Sequence, residues 1–206
     1  MGAPTTHPLF ARVYDPLTAP AERLLSSHRR YLGAGLSGRV LDVGTGTGAM
    51  LPYLAGDETG VVGVEPDPEM RRRAAPVAAA LDGDIELVGG EAERLPFGSD
   101  TFDAAVAALV LCSVRDPAAT VDELARVLRP GGELRFFEHV RGEGAYGRIQ
   151  RLATPLWGRL AGGCHLDRET GARLRRDGRF ETVADERVGP RVPPVMPFVR
   201  GTLRRR

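Results

Sequence analysis

The stretch Arg39-Val40-Leu41-Asp42-Val43-Gly44-Thr45-Gly46-Thr47-Gly48-Ala49 decides the fold. An apolar strand runs into an aspartate, glycines then occupy every second position, and a helix begins. The glycines let a ligand approach bare backbone, and the first amides of the helix point toward the same place. The stretch therefore predicts a strand–turn–helix that binds a nucleoside-bearing cofactor. Because the glycines with Ala49 also satisfy the dinucleotide pattern G-x-G-x-x-G/A, they do not by themselves identify the cofactor.

The composition is that of a globular protein with one domain. The chain has 206 residues, 42% of them hydrophobic, and a net charge of +1, which argues against a strong general affinity for nucleic acid. The longest apolar run, Ala104 to Cys112, is too short to span a bilayer, and residues 1–10 lack the pattern of a secretory signal. We therefore expect a soluble, cytoplasmic protein without an integral membrane segment. The sequence leaves its oligomeric state, monomer or homodimer, open.

The two cysteines, Cys112 and Cys164, form neither a disulfide framework nor a spacing typical of metal ligands. They are predicted to be free, buried thiols that serve in packing. No metal site is predicted.

Apolar runs alternate with helical patterns over about a hundred residues, which predicts a parallel sheet wound with right-handed crossovers. Strands are predicted at residues 39–43, 61–65, 85–88, 102–109 and 133–138, and helices at 20–32, 49–55 and 68–81 and from Asp116-Pro117 to about Arg129. Asp67 is expected to cap the helix that begins at Pro68. After Val140 we expect helices at 146–160 and from a cap at Asp167 to Arg176, and then strands at 180–188 and 198–203. These last two strands would add a hairpin to the edge of the sheet.

Acidic residues follow two of the strands, at the carboxyl edge of the sheet. Glu65, at the end of the second strand, faces the predicted crevice, where its carboxylate can accept both hydroxyls of a ribose. In the loop after the third strand, Glu91 can accept from an adenine amino group, and the amide of Ala92 can donate to a ring nitrogen. Leu128-Arg129-Pro130-Gly131-Gly132 is expected to form a tight turn between a helix and the fifth strand.

As a set, these segments resemble the class I S-adenosylmethionine-dependent methyltransferases over about residues 35–140. The segments are Asp42-x-Gly44-x-Gly46-x-Gly48, Glu65, Glu91-Ala92-Glu93-x-Leu95-Pro96-Phe97 and Leu128-x-Pro130-Gly131-Gly132. The resemblance implies an α/β fold: a Rossmann-like, doubly wound sheet of seven strands, mostly parallel with the last strand antiparallel. It implies S-adenosylmethionine as cofactor and S-adenosylhomocysteine as product. The cofactor-binding residues that it implies are Asp42, Gly44, Thr45, Gly46, Gly48, Glu65, Pro66, Met70, Gly90, Glu91, Ala92, Ala108 and Leu109.

Three further segments are similar to the small methyltransferase-like proteins of animals that methylate alkyl thiols. They are Ala108-Leu109-Val110-Leu111-Cys112-Ser113-Val114, Phe137-Glu138-His139-Val140 and Gly163-Cys164-His165-Leu166-Asp167-Arg168-Glu169-Thr170. This similarity implies methylation of a small molecule, preferentially a thiol. We expect one methyltransferase domain over 1–206, with an N-terminal helical cap (1–34), a cofactor-binding core (35–140), and substrate-side helices and final strands (141–206).

The acceptor side is less defined by the sequence. His139, at the end of the fifth strand, is the first candidate for a catalytic base or thiolate partner, with Glu138 as its possible orienting group, and His165 is the second candidate. Trp157, Leu156 and Phe198 are candidates for an apolar substrate wall, and His28 for a cover, with core packing as the alternative for each. Methylation of oxygen, nitrogen or carbon in a phenol, amine, lipid or quinone-type intermediate also stays open. So do a nicotinamide-dependent oxidoreductase and a non-catalytic binding module.

Overall fold

The computed structural model describes residues 25–160, 162–189 and 197–206, and for Leu160 the backbone only. Seven strands form one sheet in the order β3-β2-β1-β4-β5-β7-β6. β1 to β5 are parallel, and β7 pairs antiparallel with both β5 and β6. The strands are β1 Gly38–Val43, β2 Thr59–Val64, β3 Asp84–Val88, β4 Phe102–Ala108, β5 Leu128–His139, β6 Phe180–Val188 and β7 Phe198–Arg205. The predicted mostly parallel sheet with a terminal hairpin is confirmed.

Six helices lie in the described part of the chain. They are α1 (25–33), α2 Leu51–Leu54, α3 Pro68–Ala79, α4 Pro117–Val127, α5 Gly144–Leu160 and α6 Thr170–Arg176. The predicted cap of α3 is confirmed, because Asp67 Oδ1 accepts from the Glu69 amide at 2.8 Å. The predicted start of the first helix at Pro20 and the connection at 190–196 lie outside the described residues.

Two local predictions were wrong. Pro130-Gly131-Gly132 lies inside β5 and not before it, since β5 begins at Leu128, opposite Phe102; the chain does turn at Gly131, where φ is +81°, and the register shifts before Glu133 pairs with Ala104. Asp167 does not cap α6: Glu169 occupies the N-cap position, and Asp167 Oδ1 accepts from the Thr154 hydroxyl at 3.3 Å. Asp167 thus ties the loop before α6 to helix α5.

The core lies on both faces of the sheet, as expected for strands covered by helices on two sides. The largest fully buried side chains include Phe102, Phe136, Leu41, Leu124 and Leu134. Because β1, β2, β3, β4 and β5 are parallel, the loops that follow them meet at one edge. This edge carries the glycine loop, Glu65, the loop with Glu91 and Ala92, Cys112 and His139.

Candidate active site

The glycine loop after β1 requires glycine for two separate reasons. Gly44 has a φ of +66°, and a Cβ added there would lie 2.7 Å from Val110 Cγ2, so the loop packs directly against the segment that follows β4. Gly46 has a φ of +58°, and a Cβ there would meet nothing closer than 3.8 Å. Glycine at position 46 therefore serves the backbone conformation and leaves open space above the loop, as a ligand-binding turn requires.

Asp42 lies beneath this loop and is almost fully buried, with 1% of its surface exposed. Its carboxylate accepts from the Thr45 hydroxyl, which holds the first turn of the loop against the end of β1. Gly63 makes room for this contact, because a Cβ on β2 there would lie 2.5 Å from Thr45 Oγ1. Burial raises the pKa of Asp42 to about 7, and the hydrogen bond from Thr45 opposes the shift. The predicted site residues Thr45 and Asp42 are thus in direct contact through their side chains.

Glu65 joins the end of β2 to the glycine loop. Its Oε2 accepts from the Gly46 amide at 3.1 Å, and its Oε1 accepts from the Asp67 amide at 2.9 Å. Arg71 donates to the carbonyl oxygens of Glu65 and Pro66, the latter at 3.0 Å, and so holds the turn before α3. Burial raises the pKa of Glu65, whereas the two amides oppose the shift. Glu65, Gly46 and Pro66 are therefore neighbours, and Met70 is buried in α3, one turn further on.

The loop after β3 carries the predicted adenine contacts. Ala92 is buried, whereas Glu91 is exposed, and its Oε1 lies 3.7 Å from Arg115 Nη2. A Cβ at Gly90 would lie 3.0 Å from Pro96 Cδ, so this turn is tightly packed. The role of the neighbouring Glu93 could not be predicted from the sequence. Its Oε1 accepts from the amides of Arg115 and Asp116 at 2.7 and 3.2 Å, which fixes the start of α4.

Beyond Ala108 the chain turns sharply, and Glu138 holds that turn in place. Leu109 has a φ of +62°, a conformation that side chains rarely adopt. Oε1 of the fully buried Glu138 accepts from the amides of Val110 and Leu111, both at 2.9 Å, and its Oε2 accepts from the Cys112 amide at 3.2 Å.

The expectation that Glu138 orients His139 has no support in these contacts, because its carboxylate is engaged by three backbone amides. Burial raises the pKa of Glu138 to about 7, and those amides oppose the shift. Glu138 thereby ties the end of β5 to the turn that follows β4.

His139 lies beside two thiols. Its Nδ1 is 3.5 Å from Cys164 Sγ, and the ligating atoms of Cys112, His139 and Cys164 all lie within 4.8 Å of one another. The hydrogen bond from the Cys112 thiol, followed by the effects of His139, lowers the pKa of Cys164 to about 4. The same hydrogen bond, together with burial, raises the pKa of Cys112. We call these three residues the thiol–imidazole cluster. The sequence predicted buried thiols correctly but did not predict that they meet each other and His139.

Other contacts connect the two loops that supply the cysteines. The His165 amide donates to the Cys112 carbonyl at 2.8 Å, and Arg168 Nη1 donates to the Leu111 carbonyl at 2.7 Å. The side chain of His165 is exposed and lies outside the cluster. Its predicted catalytic role stays a prediction, whereas its backbone has a positioning role.

A row of stacked rings leads away from His139. Its ring lies 4.6 Å from that of Phe198, which lies 4.8 Å from Phe137, which in turn lies 4.5 Å from His28. His28 thus belongs to this row, where burial, the largest cause, lowers its pKa. Of the predicted apolar wall, Trp157 packs against the two cysteines, whereas 64% of Leu156 is exposed.

Comparison with known proteins identifies the chemistry. A family profile for a methyltransferase domain matches residues 41–136. Human thiol S-methyltransferase TMT1B is 32% identical over 93% of this chain and 84% of its own length. Phosphatidylethanolamine N-methyltransferase from Cereibacter sphaeroides is 34% identical over 74% of this chain and 75% of its own length.

Among solved structures, the [4+2]-cyclase SpnF superposes with a TM-score of 0.71 at 24% identity. The match covers 90% of this chain and 80% of the cyclase chain. That likeness concerns the fold alone, since one fold supports several reactions. Within the described residues, no helix has the length and apolar character needed to cross a bilayer. Since human TMT1B is similar over 93% of the chain and the family profile matches residues 41–136, the chain belongs to the class I S-adenosylmethionine-dependent methyltransferases.

Proposed function

We propose that this methyltransferase transfers the methyl group of S-adenosylmethionine to the sulfur of a small-molecule thiol. The observation that carries the proposal is the 32% identity to a thiol S-methyltransferase over 93% of the chain. That similarity extends beyond residue 136, where the family profile ends, into the part that supplies Cys164. The acceptor side of the site is therefore included in the similarity.

The cofactor is proposed to lie along the carboxyl edge of β1, β2 and β3. Glu65, which accepts from the Gly46 amide, would bind the ribose hydroxyls, and the Ala92 amide with Glu91 would bind the adenine. The bare backbone above Gly46 would take the methionine part. Asp42 lies beneath it, and the cationic end of the cofactor would favour the ionised form of its carboxyl group. Ala108, at the end of β4, and Leu109, just after it, would border the same space on the side of Cys112.

Methyl transfer from a sulfonium is an in-line displacement, so alignment of the acceptor with the methyl group is the main requirement. A thiol must in addition lose its proton, because the thiolate is the nucleophile. His139 is the proposed group for this step. It lies at the end of β5, next to the segment that packs against the glycine loop through Val110 and Gly44.

The test measures methyl transfer with the purified chain, S-adenosylmethionine and a panel of alkyl thiols, aromatic thiols, phenols and amines. We expect methyl thioethers as products and slower or no reaction with the oxygen and nitrogen acceptors. His139→Ala should lower kcat strongly but leave binding of S-adenosylhomocysteine intact. Product binding without turnover on any thiol would refute the choice of acceptor.

The second candidate is N-methylation of an amine, which the Cereibacter sphaeroides relative favours. The same panel separates the two reactions when phosphatidylethanolamine is included in mixed micelles.

A further inference from the structure

The thiol–imidazole cluster has the composition and the size of a metal centre. Zinc is bound by cysteine sulfur at about 2.3 Å and by histidine nitrogen at about 2.0–2.1 Å, so a tetrahedral site places its ligand atoms about 3.5–3.8 Å apart. Cys164 Sγ and His139 Nδ1 are 3.5 Å apart, and no pair in the cluster is separated by more than 4.8 Å. Side-chain movements of about 1 Å would complete the geometry.

The backbone around the cluster is fixed, as a metal centre requires of its surroundings. Glu138 holds the amide of Cys112, and the amide of His165 holds the Cys112 carbonyl, so the two cysteines come from loops that are bonded to each other. The His139 ring is held by its stacking on Phe198. On one side Trp157 packs against the apolar cluster that contains both cysteines, and its indole N–H acts as a hydrogen-bond donor toward Cys164.

We propose that Cys112, His139 and Cys164 bind a zinc ion with one open coordination position, and that the acceptor thiol binds there as a thiolate. Two cysteines and one histidine with a fourth position left for substrate is a ligand set of catalytic zinc sites. Soft sulfur ligands and imidazole favour zinc over magnesium or calcium. The proposal rests on the thiol S-methylation proposed above. It gives His139 the role of zinc ligand in place of the role of proton acceptor.

The position of the cluster suits the transfer. Cys112 lies two residues after Val110, whose side chain fills the space next to Gly44. On binding, the acceptor thiol would release its proton to solvent. The thiolate sulfur would then form the bond to the methyl carbon, and the bond between that carbon and the sulfonium sulfur would break. Its electron pair stays on the departing sulfur, which leaves S-adenosylhomocysteine and a neutral methyl thioether.

Cobalt substitution tests the proposal without relying on activity. The untagged full-length chain is reduced with a phosphine, freed of metal, and titrated with Co²⁺ while the thiolate-to-cobalt and d–d absorption bands are recorded. We expect a single tetrahedral Co²⁺ per chain, displaced by Zn²⁺. Cys112→Ser and Cys164→Ser should each weaken binding by more than about 100-fold, since even an outer-shell partner is worth 10–100-fold. His165→Ala, which changes an exposed imidazole next to Cys164, should bind Co²⁺ as the parent chain does.

Binding of S-adenosylhomocysteine shows that each variant is folded. Addition of an alkyl thiol to the Co²⁺ form should then intensify the charge-transfer bands. A reduced, folded chain that takes up no Co²⁺ would overturn the zinc site, and a cobalt spectrum unchanged by thiols would overturn the capture of the acceptor. Thiol methylation that survives complete metal removal would overturn this inference but support the proposed function. If the cobalt site responds to thiols but no thiol is methylated, the metal site is supported and the proposed function is refuted.

Discussion

Replacing Asp42 by asparagine should change how the stability of the cofactor-free protein depends on pH. The carboxyl group is buried and its pKa in the folded chain is about 7, compared with about 3.9 in an unfolded chain. Between these values the folded state holds a proton that the unfolded state has lost. The free energy of unfolding therefore decreases as the pH rises. The contribution of Asp42 to the free energy of unfolding is fully present below about pH 4 and is lost as the pH rises through about 7.

The linkage relation gives the size of the effect. From pH 5 to pH 8, the contribution of Asp42 should fall by about 2.5 kcal/mol. Asparagine keeps an oxygen that accepts from the Thr45 hydroxyl and does not titrate. The difference in unfolding free energy between the parent chain and Asp42→Asn therefore isolates this one group, since every other ionisable side chain is the same in both.

Urea unfolding followed by circular dichroism at pH 5, 6, 7 and 8 measures that difference. Asp84→Asn is the matched control, because it removes a carboxyl group from an exposed position at the start of β3, where solvation is kept. A difference between parent and Asp42→Asn that stays constant within about 0.5 kcal/mol would refute the reasoning, given that extrapolated values carry about 10–15% uncertainty. A difference that grows in favour of the parent at high pH would mean that the fold lowers the pKa of Asp42.

Three further substitutions test other parts of the site. Glu65→Gln should weaken binding of S-adenosylhomocysteine about 10- to 100-fold in calorimetry, because hydrogen bonds to a charged group contribute about 1.5–3 kcal/mol; an unchanged Kd would remove Glu65 from the ribose site. Glu138→Ala leaves three backbone amides without their acceptor, so urea unfolding should show a loss of about 3 kcal/mol or more. Glu138→Gln should cost less, and the opposite order would contradict the role given to the carboxylate. Gly44→Ala places a Cβ 2.7 Å from Val110 Cγ2 at a residue with a positive φ. The substitution should lower the free energy of unfolding by about 1–3 kcal/mol. An unchanged thermal midpoint would show that the loop can shift freely.

The cofactor-binding half could be predicted because its function resides in continuous segments. The glycines, Asp42 and Glu65 each follow an apolar strand, and parallel strands bring their carboxyl ends to one edge whatever the detailed packing. Hence the order of elements and the position of the glycine loop were confirmed. The predicted start of β5 at Glu133 was wrong because Leu128 already pairs with Phe102 of β4, whereas the turn residues Pro130-Gly131-Gly132 interrupt the pairing until Glu133 meets Ala104.

The acceptor side could not be predicted in the same way, because it is built from side chains that are distant in the sequence. Cys112 and Cys164 are brought together by the packing of the loops after β4 and α5, and no spacing of residues records that contact. Helix α5 shows the same limit. Its apolar residues Ile149 and Leu152 are 61% and 82% exposed, whereas the polar Gln150 and Thr154 are buried.

The buried face of α5 is polar because its neighbours offer partners that an apolar side chain could not use. Gln150 Oε1 accepts from the Gly142 amide at 2.6 Å, and the Thr154 hydroxyl donates to Asp167 at 3.3 Å. Both bonds fix segments that flank the thiol–imidazole cluster, one after β5 and one just after Cys164. Placing the ends of those loops by hydrogen bonds fixes their direction, which apolar contacts alone would not do. Helix α5 therefore positions the acceptor side through its polar residues and not through its apolar ones.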